Sequence, residues 1–136
     1  MSYELKDHTA DVAVEATADS LGGVFAAIAD GMAAAMTEDA PADGSRFTFE
    51  ERAESREALL FDYLDRLIYE RDVRNVLPVD HRATVREDGG EWVAAASARA
   101  VPLNAVDARD LKAVTYSEMD LSERDSGWHA YVVFDV

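Results

Sequence analysis

The sequence has no cysteine and only three histidines among its 136 residues. Without cysteine, disulfides, zinc–thiolate sites and cysteine nucleophiles are all excluded. The histidines, His8, His81 and His129, do not form an HxH or HExxH pattern, which argues against a zinc site. No apolar run approaches the roughly 18–20 residues that a membrane-spanning helix needs, and no charged-then-apolar leader pattern is present. These absences predict a cytoplasmic protein with no membrane partner.

Motifs that bind nucleotides or activate a nucleophile are also missing. The pairs Gly22-Gly23 and Gly89-Gly90 stand outside any Walker or GxGxxG context, and no GxSxG elbow occurs. A Ser-His-Asp triad assembled from distant segments is left open, although nothing in the sequence indicates one. We therefore predict a protein without catalytic residues of its own.

Basic residues are scarce. Thirteen lysines and arginines stand against 28 acids, for a net charge of −15, and Lys6 and Lys112 are the only lysines. A chain this acidic repels phosphate backbones, so strong direct nucleic-acid binding is not expected. Adaptation to high salt would produce this composition, because acids keep a surface hydrated and arginine displaces lysine. On that hypothesis the charge says little about partners.

The spacing of apolar residues predicts a single α+β domain over residues 1–136. Stripes at helical spacing, one from Leu21 to Met36 behind Asp19-Ser20 and one behind Ser55, predict two amphipathic helices. The outer positions of the first helix are mostly alanine and glycine, so we expect burial on more than one side. Together the elements predict a compact two-layer sandwich, with the helices on one face of a mixed β-sheet of about seven strands. The predicted strands are residues 2–7, 11–18, 46–53, 76–87, 92–101, 112–121 and 128–136.

Acidic residues mark both ends of the sequence. The segment Asp7-His8-Thr9-Ala10-Asp11-Val12 begins one predicted strand, and Phe134-Asp135-Val136 ends another. If these strands pair, the acids and the terminal carboxylate would supply hard oxygen ligands, of the kind that calcium takes, or magnesium with fewer protein ligands. A plainer interpretation makes the first segment a polar turn and Asp135 a solvated strand end. Spacing alone leaves both interpretations open.

Five segments, taken in chain order, resemble one family, the archeases. The resemblance covers the chain from one end to the other, and it is the common order of the segments that makes it specific. The segments are Tyr3-Glu4-Leu5 with Asp7 to Val12, Ser20-Leu21 with Val24-Phe25 and the alanine-rich helix, Leu59-Leu60-Phe61-Asp62-Tyr63-Leu64-Asp65, Lys112-Ala113-Val114-Thr115-Tyr116, and Val132-Val133-Phe134-Asp135-Val136.

The resemblance carries expectations about function. Archeases are small cytoplasmic proteins that assist the RtcB-type tRNA-splicing ligase, which joins RNA ends bearing a 2′,3′-cyclic phosphate or 3′-phosphate to 5′-hydroxyl ends. It therefore implies an accessory protein, not an enzyme, that promotes guanylylation of the ligase and its multiple turnover. It also implies a fold similar to a domain of the Hsp33 chaperone. A bound divalent metal is implied as well, with calcium expected and magnesium or manganese as alternatives.

The same resemblance assigns site residues. The metal ligands fall on Asp11, Asp135 and Val136, the last through its terminal carboxylate or a main-chain oxygen. Lys112 becomes the functional cation and a candidate for ligase activation together with His8, although its simplest local interpretation is a charge at a strand start. Many archeases have a histidine after the Thr-Tyr pair, whereas Ser117 stands here, so no imidazole acts at that point.

Two other classes of function are compatible with the sequence. One is a general chaperone or an adaptor of RNA-processing complexes, which the implied Hsp33-like fold suggests; fold likeness is weak evidence of function, and without cysteine an Hsp33-type redox switch is impossible. The other is a metal-dependent hydrolase built on His8, Asp11 and Asp135.

Overall fold

The computed structural model describes residues 2–8, 11–106, 108–125 and 127–136, with the side chains of residues 6–8 outside that description. These residues form two α-helices and eight β-strands, and a short 3₁₀ turn follows the fifth strand. None of the described helices is long and apolar enough to cross a membrane. In chain order the elements are β1 (Ser2–His8), β2 (Asp11–Ala18), α1 (Leu21–Met36), β3 (Ser45–Ala53), α2 (Arg56–Arg74), β4 (Val76–Asp88), β5 (Glu91–Pro102), β6 (Ala113–Val114), β7 (Asp120–Arg124) and β8 (Gly127–Asp135).

The strands form two antiparallel sheets. In the first, the order is β1-β2-β8-β6, and β7 pairs with another part of β8; in the second, the order is β3-β5-β4. The connections β1–β2, β4–β5 and β7–β8 are hairpins, which make neighbours antiparallel. Helix α2 carries the chain from β3 to β4, and β5 lies between those two strands. For this reason no parallel pair forms among the described strands.

The predicted α+β class with two long helices is confirmed. The strand count is eight rather than about seven, and the strands divide between two antiparallel sheets where the sequence predicted one mixed sheet. The extra strand arises because the strand predicted for residues 112–121 is interrupted. Between β6 and β7 the amide of Met119 donates to the carbonyl of Tyr116 at 3.1 Å, and Glu118 has a φ of 57°. This left-handed turn is incompatible with a continuous strand.

Helix α1 is buried on nearly all sides, as its alanine-rich sequence predicts. The Ser20 side chain caps it by accepting the Gly23 amide at 3.0 Å. A Cβ added at Gly22 would clash with the carbonyl oxygen of Ala83 in β4, and one added at Gly31 would clash with Val14 in β2. The two glycines therefore allow α1 to lie close against strands of both sheets.

Helix α2 joins the second sheet to α1. Ser55 caps it by accepting the Ala58 amide at 3.1 Å. The ring of Tyr63 lies 5.6 Å from that of Phe25 in α1 and 5.8 Å from that of Phe49 in β3. Burial of each large apolar side chain of this kind stabilises the fold by about 1.5–3 kcal/mol. The fully buried side chains of the helix are Leu59, Leu60, Tyr63, Leu64 and Leu67.

A bulge in β4 is held by a buried polar cluster. Asp80 has a φ of 52° where the pairing register of β4 with β5 shifts. The amide of His81 donates to Oδ1 of Asp30 in α1 at 3.0 Å, and its ring Nε2–H donates to the carbonyl of Pro78 at 3.2 Å. Burial lowers the pKa of His81 to about 4 and raises the pKa of Asp30. A side chain of α1 thus accepts a hydrogen bond from the irregular backbone of β4.

Candidate functional site

Four residues form one row at the end of the first sheet. Asp11 pairs with His8 on one side and with Asp135 on the other, and Asp135 in turn pairs with Ala113. The row thus crosses β1, β2, β8 and β6 in a straight line. Strand pairing brings the two ends of the sequence together in the way that the acidic segments predict. The side chain of His8 lies outside the described residues.

The carboxylates of Asp11 and Asp135 lie on the same face of the sheet. Their neighbours Val12 and Phe134 pack into the core, and successive side chains of a strand alternate between faces. Directly opposed residues have Cβ atoms about 4.5–5.5 Å apart, and like charges in that position destabilise a sheet. Asp135 is exposed and Asp11 is half-buried. A cation between the two would convert the repulsion into a link between strands.

This carboxylate pair is an incomplete shell for a metal ion. Calcium takes six to eight oxygen ligands, and the described part of the chain contains no cluster of three or more acidic, histidine or cysteine side chains arranged to hold an ion. Main-chain oxygens can supply further protein ligands, and the half-buried Val136 lies next to Asp135. The donor chemistry fits a hard divalent cation such as calcium, with water completing its coordination.

Lys112 lies beside the carboxylate pair through its backbone. Its amide donates to the carbonyl of Asp135 at 2.9 Å. The side chain is exposed, and its ammonium forms no ion pair with any residue that the structure describes. A cation and two carboxylates therefore project from neighbouring backbone positions at one end of the sheet.

The loop before Lys112 is fastened to both helices. The amide of Arg109 donates to the carbonyl of Met36 at the end of α1, at 2.7 Å, and Leu111 is buried. From α2 the guanidinium of Arg71 reaches Asp110 at 3.4 Å and the sulfur of Met36 at 3.4 Å. Arg71 is only 7% exposed. These contacts fix the direction in which the chain enters β6 and presents Lys112.

A cavity of about 820 Å³ opens beside Asp11. Its wall includes the last turn of α1, where the carbonyl end of the helix dipole is negative and the turn itself contains no basic residue. Glu38 and Asp39 add two carboxylates, and Arg109 supplies a cation. The surroundings of Asp11 are thus predominantly negative, which favours a bound cation.

The family model that matches this sequence is the Archease protein family (MTH1598/TM1083), and the match covers residues 3–136. The chain belongs to the archease family. Protein archease of Methanosarcina barkeri is 31% identical over 144 residues, covering 98% of this chain and 95% of that protein. Protein archease of Pyrococcus furiosus is 24% identical, covering 98% of both chains.

Solved structures show the same archease fold. The solution structure of Methanobacterium thermoautotrophicum protein 1598 matches with a TM-score of 0.84 and 26% identity, over 99% of both chains. The crystal structure of a Thermotoga maritima archease, described as a possible chaperone, matches with a TM-score of 0.64 and 20% identity. It covers 98% of this chain and 96% of that chain, and at this identity the likeness concerns the fold alone.

A second polar cluster on the same sheet was not predicted from the sequence. The two ring nitrogens of His129 lie 2.7 Å from Oδ2 of Asp120 and 2.8 Å from Oε2 of Glu15. Arg124 lies 3.3 Å from the same Asp120 oxygen. The contacts tie β2 and β7 to β8 at the end of the sheet away from Asp11. They join residues far apart in the sequence, so no local pattern could have revealed them.

Proposed function

We propose that this archease is a non-catalytic accessory protein that activates an RtcB-type tRNA-splicing ligase. In this proposal it promotes guanylylation of the ligase and multiple turnover as the ligase joins 2′,3′-cyclic phosphate or 3′-phosphate ends to 5′-hydroxyl ends. The observation that carries the proposal is archease membership over residues 3–136. The opposed carboxylates of Asp11 and Asp135, with Lys112 beside them, are the residues through which we expect it to act.

The carboxylates of Asp11 and Asp135, with a main-chain oxygen of Val136, would hold a divalent ion, for which calcium is the first candidate and magnesium or manganese the alternatives. Such an ion supplies positive charge between two groups that otherwise repel each other. These residues would then join β2 to β8 and give the end of the sheet a fixed shape. That shape is what we expect the ligase to recognise.

The chemistry of guanylylation suggests two ways in which this end of the sheet would help. Nucleotidyl transfer needs metal ions that offset charge on the triphosphate and on the leaving pyrophosphate. The carboxylates could deliver or reposition such an ion, with Lys112 and His8 contacting the ligase. Alternatively, contact would shift the ligase toward its guanylylation-competent conformation. In either case the acidic surface complements a basic RNA-binding groove without touching RNA itself.

The decisive experiment is multiple-turnover RNA joining by the cognate ligase with GTP and manganese in high salt. Adding this protein in substoichiometric amount should raise the number of turnovers, and Asp11→Ala or Lys112→Ala should remove the gain. Arg82→Ala is the matched control, because Arg82 is exposed on the second sheet. No gain from the folded wild-type protein would overturn the proposal. A gain that survives both site variants would show that activation does not depend on this end of the sheet.

A chaperone or adaptor role is the alternative. The Thermotoga maritima archease is described as a possible chaperone, and that description motivates a direct comparison. Light scattering of unrelated aggregating proteins, with and without this protein, measures the alternative activity. Broad suppression of aggregation without any effect on RNA joining would favour the chaperone over the ligase activator.

A further inference from the structure

An exposed aromatic pair stands where α2 meets the turn after β6. The rings of Phe61 and Tyr116 are stacked, with centroids 4.2 Å apart and an interplanar angle of 7°. Tyr116 is 55% exposed, although a large aromatic side chain gains by burial. The outer part of this pair is therefore a flat apolar platform that faces solvent.

Arginines of the same chain lie over four other aromatic rings. Arg56 lies between two indoles, 5.3 Å from the ring centroid of Trp92 and 5.2 Å from that of Trp128. Guanidinium groups favour ring faces because the π-system is negative there. The remaining two contacts place Arg66 5.2 Å from Phe49 and Arg74 4.9 Å from Phe47.

The Phe61–Tyr116 platform differs from these rings. Among the described residues, no lysine or arginine lies over either of its rings. The residue that follows Phe61 in α2 is Asp62, an acid. Partial burial raises the pKa of Tyr116, and the negative charge of Asp62 raises it further.

Asp62 is also without an ion-pair partner among the residues that the structure describes. Partial burial, followed by the charge of Asp65, raises the pKa of Asp62. A cation placed over Tyr116 would therefore gain twice, from the face of the ring and from the carboxylate. At Arg56, Arg66 and Arg74 a guanidinium lies over an aromatic ring. The Phe61–Tyr116 platform offers such a ring without a guanidinium from the described part of this chain.

We propose that Phe61, Tyr116 and Asp62 form a docking site for an arginine side chain of a partner protein. Arginine fits better than lysine because its planar guanidinium stacks on a ring while its N–H groups donate to a carboxylate in the same plane. A protein fits better than a nucleic acid because the net charge of −15 repels phosphates. Where the partner is the RNA ligase, this inference rests on the proposed function, and Tyr116 lies four residues beyond Lys112.

The first test uses small probes and does not depend on the ligase. N-acetyl-arginine amide and N-acetyl-lysine amide are titrated into the protein while NMR follows the resonances of Phe61 and Tyr116. The arginine probe should shift both, and Tyr116→Leu should weaken its binding about three- to fivefold, the size expected for an exposed cation–π contact. Tyr69→Leu is the matched control, because Tyr69 lies on α2, as Phe61 does, and is 56% exposed, close to the 55% of Tyr116. Equal binding of the lysine probe, or binding unchanged by Tyr116→Leu, would overturn the proposal.

The second test titrates the variants in the RNA-joining assay. Tyr116→Leu and Asp62→Asn should each raise the concentration needed for half-maximal activation by about three- to fivefold and leave the maximal rate unchanged. Tyr116→Phe should behave as wild type because it keeps the ring. If wild-type protein activates and neither variant shifts the midpoint, the ligase does not use the docking site. If wild-type protein does not activate at all, the proposed function fails, and the probe titration still decides the docking site.

Discussion

Asp11 and Asp135 are direct partners across β2 and β8, and both carboxylates project from the same face of the sheet. Across this pair of strands, each carboxylate therefore faces a like charge. Such a pair lowers stability in the absence of a cation and gains from one when it is present. Whether the pair raises or lowers the stability of the protein thus depends on whether a suitable cation is present.

Asp135→Asn should change stability in opposite directions with and without calcium. In chelator the substitution removes a like-charge contact, and the free energy of unfolding should rise by about 0.2–1 kcal/mol. In calcium it removes one of the proposed ligands, so affinity should fall about tenfold or more and stability should fall with it. Urea unfolding in chelator and in calcium, combined with calorimetric calcium titration, measures both effects.

Asp19→Asn is the control for that experiment. Asp19 is exposed and directly follows β2 at the end opposite Asp11. Its substitution therefore changes the net charge by the same amount as Asp135→Asn, but away from the carboxylate pair. It should shift stability equally in both buffers. A calcium affinity for Asp135→Asn equal to that of wild type would remove Asp135 from the proposed ligands.

Arg71→Met should loosen the loop before Lys112 at a moderate cost in stability. The Arg71 side chain is 9% exposed, but those of its partners Asp72 and Asp110 are 61% and 74% exposed. Its removal therefore leaves no carboxylate buried without a partner, and the free energy of unfolding should fall by about 1–2 kcal/mol. Faster amide hydrogen exchange at Arg109 and Lys112, with unchanged exchange in β5, would locate the effect. If the substitution increased amide exchange equally across the whole chain, a positioning role for Arg71 would be contradicted.

His81 should make the protein less stable as the pH falls from about 6.5 to about 4. Burial holds the folded-state pKa near 4, below the ordinary 6.5, so the unfolded chain binds a proton in this window that the folded chain does not. The free energy of unfolding therefore falls with falling pH, by up to about 3 kcal/mol from this residue.

His81→Gln tests that prediction, because its amide can still donate to the carbonyl of Pro78 while carrying no titratable group. Denaturant unfolding of both proteins at intervals from pH 4 to pH 7 gives the comparison. The difference in stability between wild type and variant should narrow or reverse toward pH 4. A difference that stays constant over the range would show that the imidazole titrates normally in the folded state.

Gly22→Ala should destabilise the protein more than Gly31→Ala. Alanine gains about 1 kcal/mol of helix propensity over glycine, whereas overpacking costs about 1–3 kcal/mol. At Gly22 the added Cβ meets the backbone of Ala83, which cannot turn away, and at Gly31 it meets the side chains of Val14 and Tyr3. Thermal unfolding of the two variants under identical conditions compares them. A larger loss for Gly31→Ala would contradict the close approach of α1 to β4.

Local patterns in the sequence were sufficient to predict most of the elements. The helices begin after Ser20 and Ser55, as their capping residues predict, and the β4–β5 hairpin turns at Gly89 and Gly90, both with positive φ. These features are decided within a few residues, by side-chain caps and by the conformational freedom of glycine. The alanine-rich composition of α1 likewise predicted its burial on several sides.

Only the tertiary structure decided how these elements combine. The opposition of Asp11 and Asp135 depends on which strands pair and in what register, and a shift of one residue would move a side chain to the other face. Arg71 and His81 are single residues whose roles come from contacts with distant segments, so no spacing in the sequence marks them. The sequence by itself determined the helices, the hairpins and the family, because those depend on local order. Strand pairing and burial across the whole chain determined the carboxylate pair and its supports.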